Sequence, residues 1–215
     1  MRWSLRLVED RLAPGASWTP ALPAAHRVLY LAAGDLVIAA SPTPVRIATN
    51  QACRAASEAR AQAGTAGAHV LRFDLSATPL SPAGGAVALD ATMDLDPAGG
   101  WLMRCDRVDF EPGGVALPHG HRGGGIRRLL RGRLDVTVGD GAPRAMRPGD
   151  AWFESGREPV LAVAAPDEES SFVRVSILPA EIRGRSSIVY VNPDDAARSR
   201  PRTYTVFVDD PIALV

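Results

Sequence analysis

The chain has 215 residues, and 24 basic residues, every one an arginine, balance 24 acidic ones. A net charge of zero and a pI near 6.9 lack the basic footprint of a nucleic-acid binder, so no nucleic-acid partner is expected. Apolar stretches such as 28–33 are too short to span a membrane, and residues 1–10 turn acidic where a signal peptide carries its apolar core, so the expectation is a cytoplasmic chain with no membrane partner.

Twenty glycines and 18 prolines punctuate short alternating segments, the mark of an all-β protein. The first half opens in this way and changes character after Val45. Asn50 reads as an N-cap, the alanine-rich stretch 51–63 as a helix, and Gly64 as its stop. The turn-rich segment 96–100 has little to bury and reads as a join. Beyond it, strands are expected at 102–110, 117–121, 126–138 with a break at Gly132, 151–154, 160–164 and 172–178. The arginine-rich tail holds two more candidates, at 187–191 and 203–208.

The two halves repeat. An offset of 98 pairs Trp3 with Trp101, Arg6 with Arg104, and Pro14-Gly15 with Pro112-Gly113. The same offset, without a gap, pairs Pro20 with Pro118, Leu31 with Leu129, Gly34 with Gly132 and Leu36 with Leu134. Glycine and proline fix turn geometry, so these matches predict two similar β domains. The division is a degenerate barrel over 1–98, a second barrel over 99–180, and an extension over 181–215 that adds strands.

Gly113, His119, His121 and Gly132 fall at the spacings of a known motif, followed by the turn Pro148-Gly149-Asp150 into a strand. On these residues the second half resembles the cupin superfamily, and more closely a subgroup of small bacterial cupins of uncharacterised function. The resemblance is good over 100–180 and fair over 1–40. It implies a bicupin: two jelly-roll barrels, each a double-stranded β-helix, the first degraded. It also implies four metal ligands, of which Gly125 and Val160 have replaced two. In the first half Ala21 and Pro23 stand under His119 and His121, so the first barrel is expected to bind no metal. His26, a lone histidine near the lost glutamate position, reads as a core or rim residue.

His119 and His121, two apart on a strand, point to one face and are the candidate metal ligands. The alternative is that both are relics of a lost site. Glu154 is the candidate third ligand for a divalent transition metal, whether iron, manganese, nickel, copper or zinc. Its other reading is a strand-end carboxylate that reaches water or Arg127. Arg127, two residues after position 125, should face inward, and a buried guanidinium needs a partner. That partner is Glu154 or an anionic group on a small ligand, which makes Arg127 a candidate ligand-binding residue. Trp152 packs the barrel wall or stacks on a ligand.

Three function classes stay open, and no catalytic residue is assigned. The first is a metal-dependent dioxygenase or isomerase working in the second barrel. The second is a binding or sensor bicupin for a small anion, and the third a structural bicupin with vestigial cavities. The alternation at 203–208 would leave a strand edge that joins a sheet or a neighbouring copy, hence an expected homodimer.

Overall fold

The computed structural model describes residues 1–19, 26–39, 43–56, 59–77, 85–198 and 202–214. Ala21 and Pro23 lie outside the described residues. The chain divides into two compact units, Met1–Gly99 with Ala213–Val215, and Gly100–Ile212. Among the described residues no helix is long and apolar enough to cross a membrane.

The first unit is one seven-stranded antiparallel sheet. Its strands are β1 (Arg2–Leu12), β2 (Ser17–Trp18), β3 (His26–Ala39), β4 (Val45–Ala48), β5 (Gln51–Ala55), β6 (Arg60–Ser76) and β7 (Ala86–Asp94). The order is β4-β3-β6-β1-β7, with β2 also on β6 and β5 also on β3. The second unit carries β8 (Trp101–Phe110), β9 (Val115–His121), β10 (Gly125–Arg131), β11 (Leu134–Val138) and β12 (Arg144–Met146). It continues with β13 (Ala151–Glu154), β14 (Val160–Ala164), β15 (Ser170–Pro179), β16 (Ile188–Tyr190) and β17 (Arg202–Ile212). These form two five-stranded sheets, β13-β10-β15-β8-β17 and β12-β11-β14-β9-β16.

Strand pairing extends the repeat over both units. β1 lies between β6 and β7 as β8 lies between β15 and β17. β5 flanks the first part of β3 as β13 flanks β10, and β4 flanks the later part as β12 flanks β11. The matched glycines show why the offset survives in the sequence. Gly34 and Gly132 have φ of 86° and 72°, and at each a Cβ would run into a backbone carbonyl, of Gly67 and of Glu169 respectively. Only glycine turns this corner without strain.

Among the described residues of 51–63 no helix forms: 51–55 is β5 and 60–63 opens β6. Asn50 is not an N-cap either: its φ is 64°, and its N–H donates to the Leu31 carbonyl at 2.7 Å, in the turn between β4 and β5. Alanine's helix propensity is a few tenths of a kcal/mol per residue and yields to the ladder on β3. Asparagine tolerates left-handed backbone better than most non-glycine residues, which is what this turn needs.

Both units bury charge as well as hydrocarbon. In the first, Asp74 accepts from Arg27 Nε at 2.6 Å and from Arg72 Nη1 at 2.5 Å, and Asp10 accepts from Arg72 Nε at 2.8 Å. His26 sits half-buried, its Nε2 2.8 Å from the Ala213 carbonyl. In the second unit Val108, Phe110, Leu129, Leu134, Met146, Trp152 and Phe172 anchor the apolar core. The tail strand β17 pairs along β8 from Arg202↔Phe110 to Ile212↔Trp101, so the edge expected at 203–208 is used within the chain.

Candidate ligand cavity of the second barrel

One row of in-register residues crosses the sheet: Trp152, Arg127, Arg174, Asp106 and Val206. Paired residues on neighbouring strands share a face, so these side chains stand on one side of the sheet. The next row runs Glu154, Gly125, Ser176, Arg104 and Asp209. From the other sheet, β9 sends His119 and His121 to one face, with Val160 and Tyr190 opposite His119. All five residues singled out in the sequence line a single cavity with Val108, Phe110, Arg174, Arg202 and Tyr204.

At its centre is a buried ion pair. Arg127, 1% exposed, donates Nη2 to Glu154 Oε2 at 2.7 Å and Nη1 to the Gly125 carbonyl at 2.5 Å. Glu154 Oε1 accepts from Trp152 Nε1 at 2.8 Å, and His121 Nε2 lies 3.4 Å from Oε2. Trp152 also packs edge-on against Phe172, with ring centroids 5.4 Å apart. Burial alone would raise the Glu154 pKa, but the Arg127 charge and the hydrogen bonds of His121 and Trp152 carry it well below the usual carboxylate range. Burial lowers Arg127 to about 10 even with Glu154 beside it.

The two histidines differ in their partners. His119 Nδ1 is 2.7 Å from the Leu117 carbonyl and so carries the proton, which leaves Nε2 as a lone pair. His121 Nδ1 faces Ser187 Oγ at 3.2 Å, and burial pushes its pKa down to about 3. A neutral ring beside an ionised Glu154 donates through Nε2 and accepts the Ser187 hydroxyl at Nδ1. The rings lie edge to face, 4.8 Å between centroids.

As arranged, Glu154 faces protein donors: Arg127 and His121 at Oε2 and Trp152 at Oε1. Both Glu154 oxygens are engaged, one of them by a guanidinium. Among the described residues no three His, Cys, Asp or Glu side chains gather so that they could hold an ion. Gly125 explains the missing carboxylate: a side chain there would collide with the Val175 carbonyl.

Three residues of the cavity escaped the sequence reading. Arg174 is paired twice with Asp106, Nε to Oδ1 at 2.6 Å and Nη2 to Oδ2 at 2.9 Å. Tyr204 lies with its ring centroid 5.7 Å from Arg174 Cζ and 5.6 Å from Arg202 Cζ. Arg202 gives Nη2 to the Tyr190 hydroxyl at 3.0 Å. Its Nε and Nη1 are buried and find no acceptor among the described residues. Period-two spacing puts Arg202, Tyr204 and Val206 on one face of β17, the one signal that could have flagged them.

The depressed groups dictate a pH profile. From pH 6.5 down to about 3 the unfolded chain protonates His121 while the folded chain does not, so stability falls with pH. His119, lowered chiefly by burial, acts in the same sense. Below about pH 4.5 protonation of Glu154 in the unfolded chain adds to the loss. Each such group contributes up to ~1.4 kcal/mol per pH unit within its window. Urea midpoints between pH 7 and 4 should therefore fall, and fall less steeply in His121→Asn; equal slopes would refute the assignment.

Comparison with known proteins agrees with this architecture. Residues 106–173 match the Cupin domain family. A variant of Bacillus subtilis oxalate decarboxylase superposes with a TM-score of 0.64 at 16% identity, covering 91% of this chain and 73% of that one. The same enzyme at pH 4.6 gives 0.61 at 15% identity, covering 91% and 72%. AerE from Microcystis aeruginosa gives 0.57 at 14% identity, covering 82% and 87%. No curated protein matches the sequence. At these identities the likeness shows the fold alone.

Proposed function

We propose that the second barrel, whose residues 106–173 match the Cupin domain family, binds a small anion. The observation that carries the reading is Arg202, whose Nε and Nη1 are buried without an acceptor among the described residues. Charge counting points the same way. Arg127 is matched by Glu154 and Arg174 by Asp106, while both histidines are neutral, so the cavity keeps one positive charge. A buried donor left unmade costs about 1–3 kcal/mol, and an anion would satisfy two of them with charge-assisted bonds. Arg127, whose expected partner was Glu154 or an anionic group, gives Nη2 to Glu154 and Nη1 to the Gly125 carbonyl.

Formate is a suitable probe. Wild-type protein should bind it in calorimetric titration, and Arg202→Gln should weaken it by about ten- to a hundredfold. Equal affinity in the variant would remove the reading.

A second reading keeps a divalent metal and, with it, a dioxygenase or isomerase. It is favoured by His119, whose Nδ1–H bond to a backbone carbonyl is the orientation usual for a metal-binding imidazole. A bound metal would supply Lewis-acid or oxygen-binding chemistry. Glu154 would have to exchange Arg127 for the ion. Elemental analysis of protein purified without chelator or nickel resin tests this, with His119→Ala as the control.

A further inference from the structure

The cavity holding Arg202 is about 20 Å³, room for a water or two and for little of an organic molecule. Beside it lies a groove of about 390 Å³, the size of a small-molecule site. The two share Arg174 and Tyr204 in their linings.

Inner charges of the groove are already matched. Arg104 gives Nε and Nη2 to the Asp209 carboxylate at 2.8 and 3.1 Å, and Arg174 is held by Asp106. Arg185 stands exposed on the rim, with Nη2 donating to the Glu181 carbonyl. What the groove presents is largely apolar: Tyr204 is 40% exposed, Val206 is 55% exposed, and Ile188 is half-buried.

Resting on the anion reading above, we propose that the ligand is a monocarboxylate with an apolar body. Its carboxylate meets Nε and Nη1 of Arg202, and its body lies in the groove against Tyr204 and Val206. Three observations converge on this class. The cavity admits a head group and no more, and Arg202, the one cation of its lining without a carboxylate among the described residues, calls for one negative charge. The surface next to it offers hydrocarbon and an aromatic face, which reward a neutral body. Arg174 and Tyr204 line both spaces, and since Arg174 is held by Asp106, head and body meet at the Tyr204 ring.

The test uses benzoate, benzamide and formate titrated against the full chain. Burial of the ring should make benzoate bind about tenfold or more tighter than formate. Loss of charge should leave benzamide weaker than benzoate by a similar factor. Arg202→Gln should bring benzoate down to the level of benzamide. Val206→Gln, at an exposed position, should bring benzoate towards formate and leave formate unchanged. If formate still requires Arg202 but benzoate binds no tighter, or Val206→Gln changes nothing, the groove has no part in binding and this inference falls while the anion reading stands. If neither formate nor benzoate binds wild-type protein at millimolar concentration, both fall together.

Discussion

Glu154→Ala should cost the second barrel about 3–5 kcal/mol, because it strands a buried charge. Arg127 is 1% exposed, and Glu154 is the carboxylate that meets it, at 2.7 Å. The same substitution deprives Trp152 Nε1 and His121 Nε2 of their acceptor, each a buried donor. These losses overlap, so they do not simply add. If uncompensated charge is the cause, removing both charges should be far milder than removing one. Arg127→Met with Glu154→Gln keeps an acceptor for the indole and removes the pair, and should recover most of the stability. A double-mutant cycle by urea unfolding should give a coupling of ~2 kcal/mol or more. A cost below ~1 kcal/mol for Glu154→Ala would mean that water reaches the guanidinium, contrary to its burial.

The repeat was legible because backbone geometry enforced it. Gly15 and Gly113 both have φ of 70°, and Gly34 and Gly132 turn matching corners, so identity persists where a side chain would strain the chain. The stretch 51–63 departs from the expected helix for the converse reason: composition there favours helix, and the pairing partner that overrides it, β3, starts 25 residues before β5. The row Arg127–Trp152 and the pair of histidines followed from period-two spacing, a local signal. Arg202 and Tyr204 did not, since their place depends on β17 pairing with β8, about 95 residues away, in a register set by the whole fold. Arg174 likewise meets Asp106 across 68 positions, a separation that no local pattern specifies.

Registers also show how the two barrels distribute charge. β5 sits on β3 as β13 sits on β10, so Cys53 and Ala55 take the places of Trp152 and Glu154. Arg72 takes the place of Arg174, and Leu29 that of Arg127. The first barrel thus lacks the acid and indole of the second, and balances its arginines internally through Asp74 and Asp10.

Asp74→Ala should therefore destabilise the first unit by about 3–5 kcal/mol. Its two oxygens serve two guanidiniums, Arg27 at 2.6 Å and Arg72 at 2.5 Å, with the Arg27 and Asp74 side chains 0% exposed. Removing it takes a carboxylate from both guanidiniums at once, leaving Arg72 its second carboxylate, Asp10 at 2.8 Å. The first-unit ion pair Arg6–Asp90 supplies the contrast, because the Asp90 side chain is 37% exposed. Water screens that carboxylate, so Asp90→Ala should cost under ~1 kcal/mol although the contact is as short. The two compact units need not unfold in one step, so the transition should be followed by probes in each, Trp18 in the first and Trp152 in the second. Burial ranks Asp74→Ala far above Asp90→Ala in the transition reported by Trp18; equal losses would mean that contact distance, and not burial, sets the cost of breaking an ion pair in this barrel.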